Sequence, residues 1–296
     1  MNGDDKTMDA KNYVIDGVSF GGQQGENPIV LIGSIFYSGH HIITDPEKGE
    51  FHREKAEKYI KDFMNYSQKY RIPCALDVVA ETPTAMIKFL DFTLDEFDGP
   101  IILDGIYDAR LRGIQHIKDL GVPDRVIYDS IWKNTETELK AIKDAGIKTA
   151  ILFGYDIADS SSSKRYSVMT EGTKKYPSLL KQAEQAGITQ MLVDNVITHF
   201  DSVGDVIETN IMFKNMFGVP VGCGPANISY YLDKFDKAMT TKQTRDSSLI
   251  AVLSLFSDFL LFGPIERAKT AFMSAYIGVG IKNSLKFDLF DIYKRE

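Results

Sequence analysis

The chain has 296 residues, 44% of them hydrophobic and 25% charged, so its composition is that of a folded protein with a sizeable core. A formal net charge of −7, with no basic stripe, argues against a nucleic-acid-binding surface. The polar start Met1–Lys6 does not resemble a signal peptide, and the broken apolar stretch Leu249–Phe262 is too short to span a bilayer. We therefore expect a soluble cytoplasmic protein with neither nucleic acid nor membrane as a partner.

Short apolar runs that end in a polar residue alternate along the chain with amphipathic stretches. Runs of this kind are typical of buried parallel strands. Eight of them in about 250 residues predict an α/β protein with a single (β/α)8 TIM barrel domain. In chain order, the predicted strands cover residues 29–36, 73–80, 100–104, 125–130, 148–153, 189–194, 219–223 and 259–262.

The segments between these strands predict the remaining elements. Residues 1–12 are expected to form a flexible N-terminal tail, and residues 13–296 the barrel. Residues 14–20, with Asp16-Gly17 at their centre, predict a hairpin that closes the bottom of the barrel. The predicted helices cover residues 53–70, a helix opened by Thr82-Pro83, 107–120, 134–145, 201–216, a helix from Asn227, 245–257 and 264–281.

A serine-rich segment, Asp159–Ser163, lies in a predicted loop of about twenty residues after the fifth strand. A loop of that length at a strand end is either mobile filler or a lid, and the residues leave both interpretations open.

The common cofactor and metal motifs are missing from the sequence. Gly222-Cys-Gly224-Pro-Ala-Asn227 lacks the third glycine of a dinucleotide fingerprint and follows the seventh strand instead of the first. None of the five histidines lies in a paired metal-ligand spacing, and none has Asp two residues before it and Gly three after it, as a cobalamin-carrying loop would. Cys74 and Cys223 are expected to be buried and unreactive. We therefore predict no bound metal, and any corrinoid must come from a partner.

Polar residues recur where the predicted strands end. Asp104, Asp129 and Asp194 end the third, fourth and sixth strands, and Asn227 follows the seventh. A single such Asp is often only the N-cap of the next helix, but active sites of these barrels form at the carboxyl ends of the strands. A carboxylate can accept two parallel hydrogen bonds from adjacent N–H groups, and the amino-pyrimidinone edge of a pterin presents such a pair. Asp194 suits that edge, and Asp104 and Asp129 suit other ring nitrogens.

With these residues the chain resembles the family of the H subunit of tetrahydromethanopterin S-methyltransferase. Within that family it looks most similar to the bacterial methylcorrinoid protein:tetrahydrofolate methyltransferases of glycine betaine demethylation systems. The segments that carry the resemblance are Phe20–Pro28, Val30–Tyr37 with Gly39-His40, Ala80–Pro83 with Ala85–Lys88, Tyr128–Ile131 and Gly222–Asn227.

The resemblance implies methyl transfer from methylcob(III)alamin, carried by a separate corrinoid protein, to N5 of tetrahydrofolate. The products are methyltetrahydrofolate and cob(I)alamin, and the protein is expected to be a homodimer. More distantly, the chain is similar to pterin-binding barrels such as dihydropteroate synthase. That likeness implies pterin contacts for Asp104, Asp129, Ser130, Asp194, Asn227 and Glu81, with Asn227 and Asp104 as the catalytic pair.

One position departs from the pattern of the pterin-binding barrels. Those families commonly have Asn before Ser at the end of strand four, whereas this chain has Asp129 before Ser130. An ionised Asp cannot donate a hydrogen bond as Asn does. Asp129 is therefore protonated, or it contacts a donor on the ring, or Ser130 replaces it.

Two other functions stay open at this point. A dihydropteroate synthase-like condensation would need a cationic diphosphate site, for which only Arg267 and Lys269 follow the eighth strand. A non-catalytic protein of this fold would bind the pterin or the corrinoid protein without turnover.

Overall fold

The computed structural model describes residues 8–228 and 242–291, which form twelve strands and nine helices. Eight parallel strands close into a barrel, as predicted, and each lies within two residues of its predicted bounds. In barrel order they are β3 (Val30–Ile35), β6 (Cys74–Ala80), β7 (Ile101–Gly105), β8 (Val126–Ile131), β9 (Thr149–Phe153), β10 (Gln190–Asp194), β11 (Val221–Cys223) and β12 (Phe259–Pro264). Two hairpins lie outside the barrel: β1 (Asn12–Ile15) with β2 (Val18–Gly21), and β4 (Ile43–Asp45) with β5 (Glu50–Phe51).

Helices surround the barrel. They are α1 (Arg53–Tyr70), α2 (Pro83–Glu96), α3 (Tyr107–Leu120), α4 (Glu136–Ala145), α5 (Ser162–Thr170), α6 (Leu179–Gln185), α7 (Ser202–Phe217), α8 (Lys242–Leu253) and α9 (Ala268–Ser284). Local signals explain several of their ends. The Thr82 side chain caps α2 by accepting from the Ala85 N–H, and α3 ends where Gly121 adopts a left-handed conformation.

The last two helices differ from their predicted ranges. The predicted helix 264–281 begins only at Ala268, because Pro264 still pairs with β3 and residues 265–267 form a 3-10 turn. The predicted helix 245–257 ends at Leu253. Asp258, shortly after that end, accepts hydrogen bonds from the Lys214 ammonium and the Val221 N–H. This stretch therefore leads into β12 and does not continue the helix. The helix predicted from Asn227 runs into residues 229–241, outside the described residues.

The predicted twenty-residue loop after β9 was wrong, because α5 and α6 lie between β9 and β10. Ser161, in the serine-rich segment, caps α5 by accepting from the Lys164 N–H. Ser160 and Ser162 donate to Asp205 and Glu208 on α7. The run of serines is therefore the start of α5 and is hydrogen-bonded to α7. Helix capping by serine gives no signal in the hydrophobic periodicity.

The barrel interior has an apolar floor. Its strands contribute side chains that form one buried cluster with Ile15 and Phe20 from the β1–β2 hairpin: Val30, Ile32, Ala75, Ile102, Ile127, Ile151, Leu192 and Phe259. The hairpin therefore closes the bottom of the barrel, as predicted. A larger apolar cluster fills the space between strands and helices.

Of the predicted flexible tail 1–12, residues 1–7 lie outside the described residues. The backbone N–H groups of Met8 and Lys11 donate to Asn215 and Gly218 carbonyls, and Asn12 begins β1. No helix within 8–228 or 242–291 combines the length and the apolar character needed to cross a membrane.

Candidate active site

A layer of polar side chains lies directly above the apolar floor of the barrel. Successive side chains of a strand point to opposite faces, so a residue two positions after an interior residue also points inward, one layer nearer the carboxyl end. Five polar residues stand two positions beyond the floor residues Ile32, Ala75, Ile102, Ile127 and Leu192: they are Ser34, Asp77, Asp104, Asp129 and Asp194. The strand period thus brings these side chains together at the end of the barrel where active sites form.

Three of the carboxyl groups are close neighbours. Asp77, Asp104 and Asp129 each place an oxygen within 4.8 Å of the other two. Ser34 Oγ donates to Asp77 Oδ2 at 2.6 Å, and the Gly105 N–H donates to Asp104 Oδ1 at 2.6 Å. Two full charges at this separation repel by about 3.5 kcal/mol at an effective dielectric constant near 20. Full ionisation of all three groups is therefore costly, and they must share protons or a cation.

Burial and mutual repulsion shift the titration of these acids. Asp77 and Asp129 are 4% and 5% exposed. Burial, reinforced by the neighbouring carboxylates, raises the pKa of Asp77 and of Asp129 well above the usual Asp range. The pKa of Asp104 is raised by burial too, although the Gly105 N–H and Arg110 oppose the shift. Burial raises the pKa of Asp194 to about 7, against the opposing charge of Arg165.

Several of these buried oxygens have no hydrogen-bond partner among the described residues: Asp77 Oδ1, Asp129 Oδ1 and Asp194 Oδ1. A buried polar atom without a partner costs free energy, so such atoms are rare unless a ligand, ion or water satisfies them. All three lie in the polar layer of the barrel. They favour a ligand that brings hydrogen-bond donors.

A cavity of about 520 Å³ opens above Asp104 and Asp129, and Ser130 also lines it. Tyr107, Trp132 and Phe153 give it an aromatic wall. Its volume lies in the range of small-molecule sites, and its lining suits a flat heterocycle with a polar edge.

Arg110, a further lining residue, is held by its neighbours. Its guanidinium donates to the Gly105 carbonyl at 2.7 Å, to Tyr128 Oη at 2.9 Å and to Glu138 Oε1 at 2.8 Å. Tyr128 Oη also donates to Glu138 Oε1. This network holds the guanidinium between α3 and α4, and Arg110 forms no hydrogen bond to Asp77, Asp104 or Asp129 within the described part of the chain.

The residues predicted from the sequence differ in burial and in position at the carboxyl end of the barrel. Asp104, Asp129 and Asp194 lie in the polar layer, and Ser130 lines the cavity. Glu81 follows β6 but is exposed, outside the buried layer. Asn227 is exposed as well and follows β11, with its backbone N–H bonded to the Gly224 carbonyl.

Among the residues of this region that sequence reasoning missed, Asp77 and Arg165 bear directly on the acids. Asp77 stands in the middle of β6, so a search for polar residues at strand ends passes over it; an Asp within an otherwise apolar strand is the signal that finds it. Arg165 belongs to the unpredicted helix α5. It is fully buried, and its guanidinium donates to the carbonyls of Gly154, Ser160 and Val196. It is the cation that acts on Asp194.

A second polar cluster joins the loops after β3 and β12. Glu266 Oε1 lies 3.2 Å from His40 Nε2, 3.4 Å from His41 Nδ1 and 3.0 Å from Tyr37 Oη. We name Tyr37, His40, His41 and Glu266 the histidine cluster.

The histidine cluster and the three carboxylates are the two groups of described residues whose spacing could suit a metal ion. The Phe36 N–H donates to His40 Nδ1 at 3.0 Å, so the ring proton lies on Nε2, facing Glu266. A metal at Nε2 would leave both ring nitrogens without a proton, contrary to the usual pattern of ligating histidines. With that tautomer the Nε2–H group faces Glu266 Oε1 at 3.2 Å but forms no hydrogen bond with any described residue. The prediction of a metal-free protein stays a prediction.

No activated thiol is present among the described residues. Cys74 and Cys223 are buried and unbridged, as predicted. Burial raises the pKa of Cys74 to about 12 and that of Cys223 well above its usual value. Neither thiol is therefore suited to act as a nucleophile at neutral pH.

Fold and site together define a parallel (β/α)8 barrel with a carboxylate-lined pocket at its carboxyl end. The family model described as tetrahydromethanopterin S-methyltransferase MtrH subunit matches residues 9–287. The chain belongs to this family, and thus to a family of methyltransferases.

Individual relatives agree with the family model. The H subunit of tetrahydromethanopterin S-methyltransferase from Methanopyrus kandleri is 33% identical over 86% of this chain and 85% of its own length. Its namesake from Methanothermobacter thermautotrophicus is 33% identical over 90% and 89%. The H subunit of a putative methyltransferase, mtx, from Methanosarcina mazei is 30% identical over 88% and 87%.

Among solved structures, Yersinia pestis dihydropteroate synthase, in a complex with a sulfonamide drug, matches with a TM-score of 0.59. It is 10% identical and covers 93% of this chain and 100% of its own. This likeness concerns the barrel fold.

Proposed function

We propose that this protein transfers a methyl group from methylcob(III)alamin, carried by a separate corrinoid protein, to N5 of tetrahydrofolate. The observation that carries the proposal is the polar layer of buried acids with unpartnered oxygens, in a chain that belongs to a methyltransferase family. The products are methyltetrahydrofolate and cob(I)alamin.

The donor pattern of a pterin complements this layer. Its amino-pyrimidinone edge presents a ring N–H beside an exocyclic amino group, and a carboxylate accepts both. Asp194, with a free Oδ1 at the end of β10, is proposed to take this edge. Asp104 and Asp129 are proposed to contact other ring atoms, while the aromatic wall of Tyr107, Trp132 and Phe153 covers a ring face. Ser130 and the exposed Glu81 complete the proposed contacts at the mouth.

The main role proposed for the protein in this reaction is to position the two reactants. The N5 lone pair forms the new N–C bond, the Co–C bond breaks with its electron pair left on cobalt, and the N5 proton goes to solvent. Alignment of two bound reactants can supply roughly 7–11 kcal/mol of a barrier. Asn227 is proposed to hydrogen-bond N5, because an amide can both donate and accept as the protonation of N5 changes. Asp104 is proposed to hold the ring at the angle that this attack needs.

The identity of the pterin is the finer part of the proposal. The relatives from Methanopyrus kandleri and Methanothermobacter thermautotrophicus are named for tetrahydromethanopterin, whereas the resemblance to bacterial enzymes favours tetrahydrofolate. Both molecules carry the pterin ring that the acids are proposed to bind. A direct comparison of the two acceptors therefore tests the choice.

Exposed apolar side chains at the mouth support docking of a corrinoid protein. Ile106 and Tyr107 follow β7, Ile157 follows β9, and Phe200 follows β10. Ile157 is 72% exposed and Phe200 57%. Apolar side chains concentrated on the loops around a site mark a surface that a partner covers.

An apolar stripe on α9 supports the proposed homodimer. Met273, Tyr276, Ile277 and Ile281 are exposed at the spacing of one helix face, and Val252 is exposed on the neighbouring α8. A second copy of the chain is proposed to cover this stripe. The cytoplasmic location stays a prediction.

The dihydropteroate synthase-like alternative loses support. Arg267 Nη1 pairs with Asp246 Oδ2 at 3.1 Å, so its charge is already balanced and does not make a diphosphate site. The likeness to dihydropteroate synthase extends to the fold only.

One experiment tests the proposed function. The protein is mixed with methylcobalamin, or a methylated corrinoid protein, and with tetrahydrofolate or tetrahydromethanopterin in parallel, and the cob(I)alamin absorbance is followed. Turnover with tetrahydrofolate supports the proposal, and turnover with tetrahydromethanopterin alone assigns the other acceptor. Pterin binding without turnover in both reactions would indicate a non-catalytic binding protein.

A further inference from the structure

Asp129 lies in a setting that does not support a negative charge. Its carboxyl is 5% exposed and has Asp77 and Asp104 oxygens within 4.8 Å. The charged and titratable groups that face it are Asp77 from β6, Asp104 from β7, Asp194 from β10 and Arg110 from α3. Three of these four are acids.

Among the described residues, Arg110 is the one cation that faces Asp129, and its hydrogen bonds go to other groups. Arg110 donates to the Gly105 carbonyl, Tyr128 Oη and Glu138 Oε1. The Ser34 hydroxyl donates a hydrogen bond to Asp77 Oδ2, and the Gly105 N–H donates one to Asp104 Oδ1. Within the described residues, Asp129 Oδ1 receives no hydrogen bond. An additional proton on the acids is the smallest change that removes the repulsion.

A proton on one of the acids would also give the pterin ring a hydrogen-bond donor. The ring carries acceptors, its carbonyl oxygen and a ring nitrogen, beside its N–H donors. Ionised carboxylates offer acceptors only, whereas a protonated carboxyl offers one O–H donor and one C=O acceptor in a plane. That is the donor and acceptor pattern of an asparagine amide.

We propose that Asp129 carries a proton in the native protein and donates it as a hydrogen bond to an acceptor of the pterin ring. The hydrogen bond to the pterin rests on the proposed function, whereas the protonation of Asp129 does not. It decides among the three roles that the residues alone left open for the Asp129-Ser130 pair. Burial and the neighbouring acids, which raise the pKa of Asp129, act in the same direction.

The charge of the free protein tests the protonation without any ligand. Asp129→Asn leaves the net charge at neutral pH unchanged if Asp129 is protonated, so its native electrophoretic mobility should match that of the unsubstituted protein. Asp144→Asn is the matched control, because Asp144 is exposed, pairs with Lys140 and has a pKa lowered by that hydrogen bond. It should shift the mobility by one unit of charge. An equal shift for Asp129→Asn would overturn the proposal.

A measurement on the unsubstituted protein covers the case in which Asp129→Asn fails to fold. A protonated buried carboxyl has an infrared C=O stretch distinct from the carboxylate bands. That band should be present at neutral pH and should disappear on alkaline titration. Its absence at neutral pH would exclude a protonated acid in the layer. A loss of the band on adding Mg²⁺ or Mn²⁺ would show that a cation displaces the proton, and would also overturn the assignment.

Tetrahydrofolate binding tests the donor role. Asp129→Asn should keep the neutral-pH affinity within about threefold, since the amide supplies the same donor and acceptor. Affinity of the unsubstituted protein should fall by up to about tenfold per pH unit once Asp129 ionises, and Asp129→Asn should lack this fall. The comparison with Asp129→Asn removes the contribution of Asp194, which titrates in both proteins. A loss of affinity in Asp129→Asn at neutral pH would overturn the donor role. A failure of the unsubstituted protein to bind any pterin would instead defeat the proposed function and leave the charge measurement standing.

Discussion

The barrel mouth holds two polar clusters with opposite hydrogen-bond balance. In the histidine cluster, one carboxylate faces the hydroxyl of Tyr37 and the rings of His40 and His41. Burial alone would raise the pKa of Glu266, but the neighbouring His40 ring and Tyr37 hydroxyl lower it overall. In the polar layer over β6, β7, β8 and β10, acids face acids, and the pKa of Asp129 is raised.

The difference separates a structural cluster from a ligand site. In the histidine cluster the Tyr37 hydroxyl donates to Glu266 Oε1, and His40 Nε2 lies 3.2 Å from the same oxygen, although neither His40 Nε2 nor Glu266 Oε2 has a hydrogen-bond partner among the described residues. These contacts tie two loops together. In the polar layer, Asp77, Asp129 and Asp194 each keep one buried oxygen without a donor among the described residues, and such atoms cost free energy until a ligand supplies hydrogen-bond donors. We therefore propose that the histidine cluster joins two loops and that the polar layer binds the ligand.

The largest effect is expected at Asp194. Asp194→Ala removes the carboxylate proposed to hold the pterin edge and should weaken tetrahydrofolate binding by roughly 2–5 kcal/mol, the range for loss of one partner of a buried charged pair. Calorimetry measures the change, with Asp144→Ala on the surface of α4 as the control. Unchanged affinity in a folded Asp194→Ala protein would remove this residue from the site.

At Asn227 we expect an effect on chemistry more than on binding. Asn227→Ala should lower kcat by about 10²–10³-fold with a smaller change in KM, as for loss of one preorganised hydrogen-bonding group. Steady-state kinetics with tetrahydrofolate and a melting curve give the answer. A raised KM with an intact kcat would make Asn227 a ground-state ligand. If both constants hold while stability drops by about 1 kcal/mol, it is only a helix cap.

The histidine cluster should respond in stability and not in binding. Glu266→Ala leaves the Tyr37 hydroxyl without its acceptor, removes the carboxylate beside the His40 ring, and should lower the free energy of unfolding by about 1–3 kcal/mol. Glu266→Gln, which keeps an acceptor oxygen, should cost less. Urea unfolding measures both variants, and tetrahydrofolate affinity should stay unchanged. A large loss of affinity would erase the distinction between the two clusters.

The pKa of Asp194 predicts a pH dependence of stability. A carboxyl whose pKa rises to about 7 on folding binds more protons in the native state than in the unfolded state between its ordinary pKa and that value. As far as this carboxyl is concerned, the unfolding free energy is therefore highest at low pH, where the group is protonated in both states. It falls by up to about 1.4 kcal/mol per pH unit as the pH rises toward neutrality. Urea titrations from pH 4.5 to about pH 7.5 should show this slope in the unsubstituted protein, and Asp194→Asn should show less of it. Parallel curves for the two proteins would contradict the buried, shifted carboxyl.

Local patterns were enough to predict the barrel and most of its acids. A strand such as Thr149–Phe153 is a short apolar run between turn residues, and that pattern depends on nearby residues alone. The same holds for Asp104, Asp129 and Asp194, because a strand end can be located from its own sequence. Among the elements that were missed, α5 and α6 have capping serines and short amphipathic stretches, in which local periodicity is weak.

Only the tertiary structure decided which side chains meet and how they are charged. Asp77 joins the acids because β6 pairs with β3 so that Asp77 lies opposite Ser34, and because β7 then brings an Asp104 oxygen within 4.8 Å of it. Glu266 reaches His40 because the barrel closes β12 onto β3, across more than two hundred residues of sequence. Burial and charge–charge distance, which set the protonation of Asp129, are properties of the closed barrel. Sequence patterns can place a carboxyl at a strand end, but the distance to the next carboxyl exists only after the strands have paired.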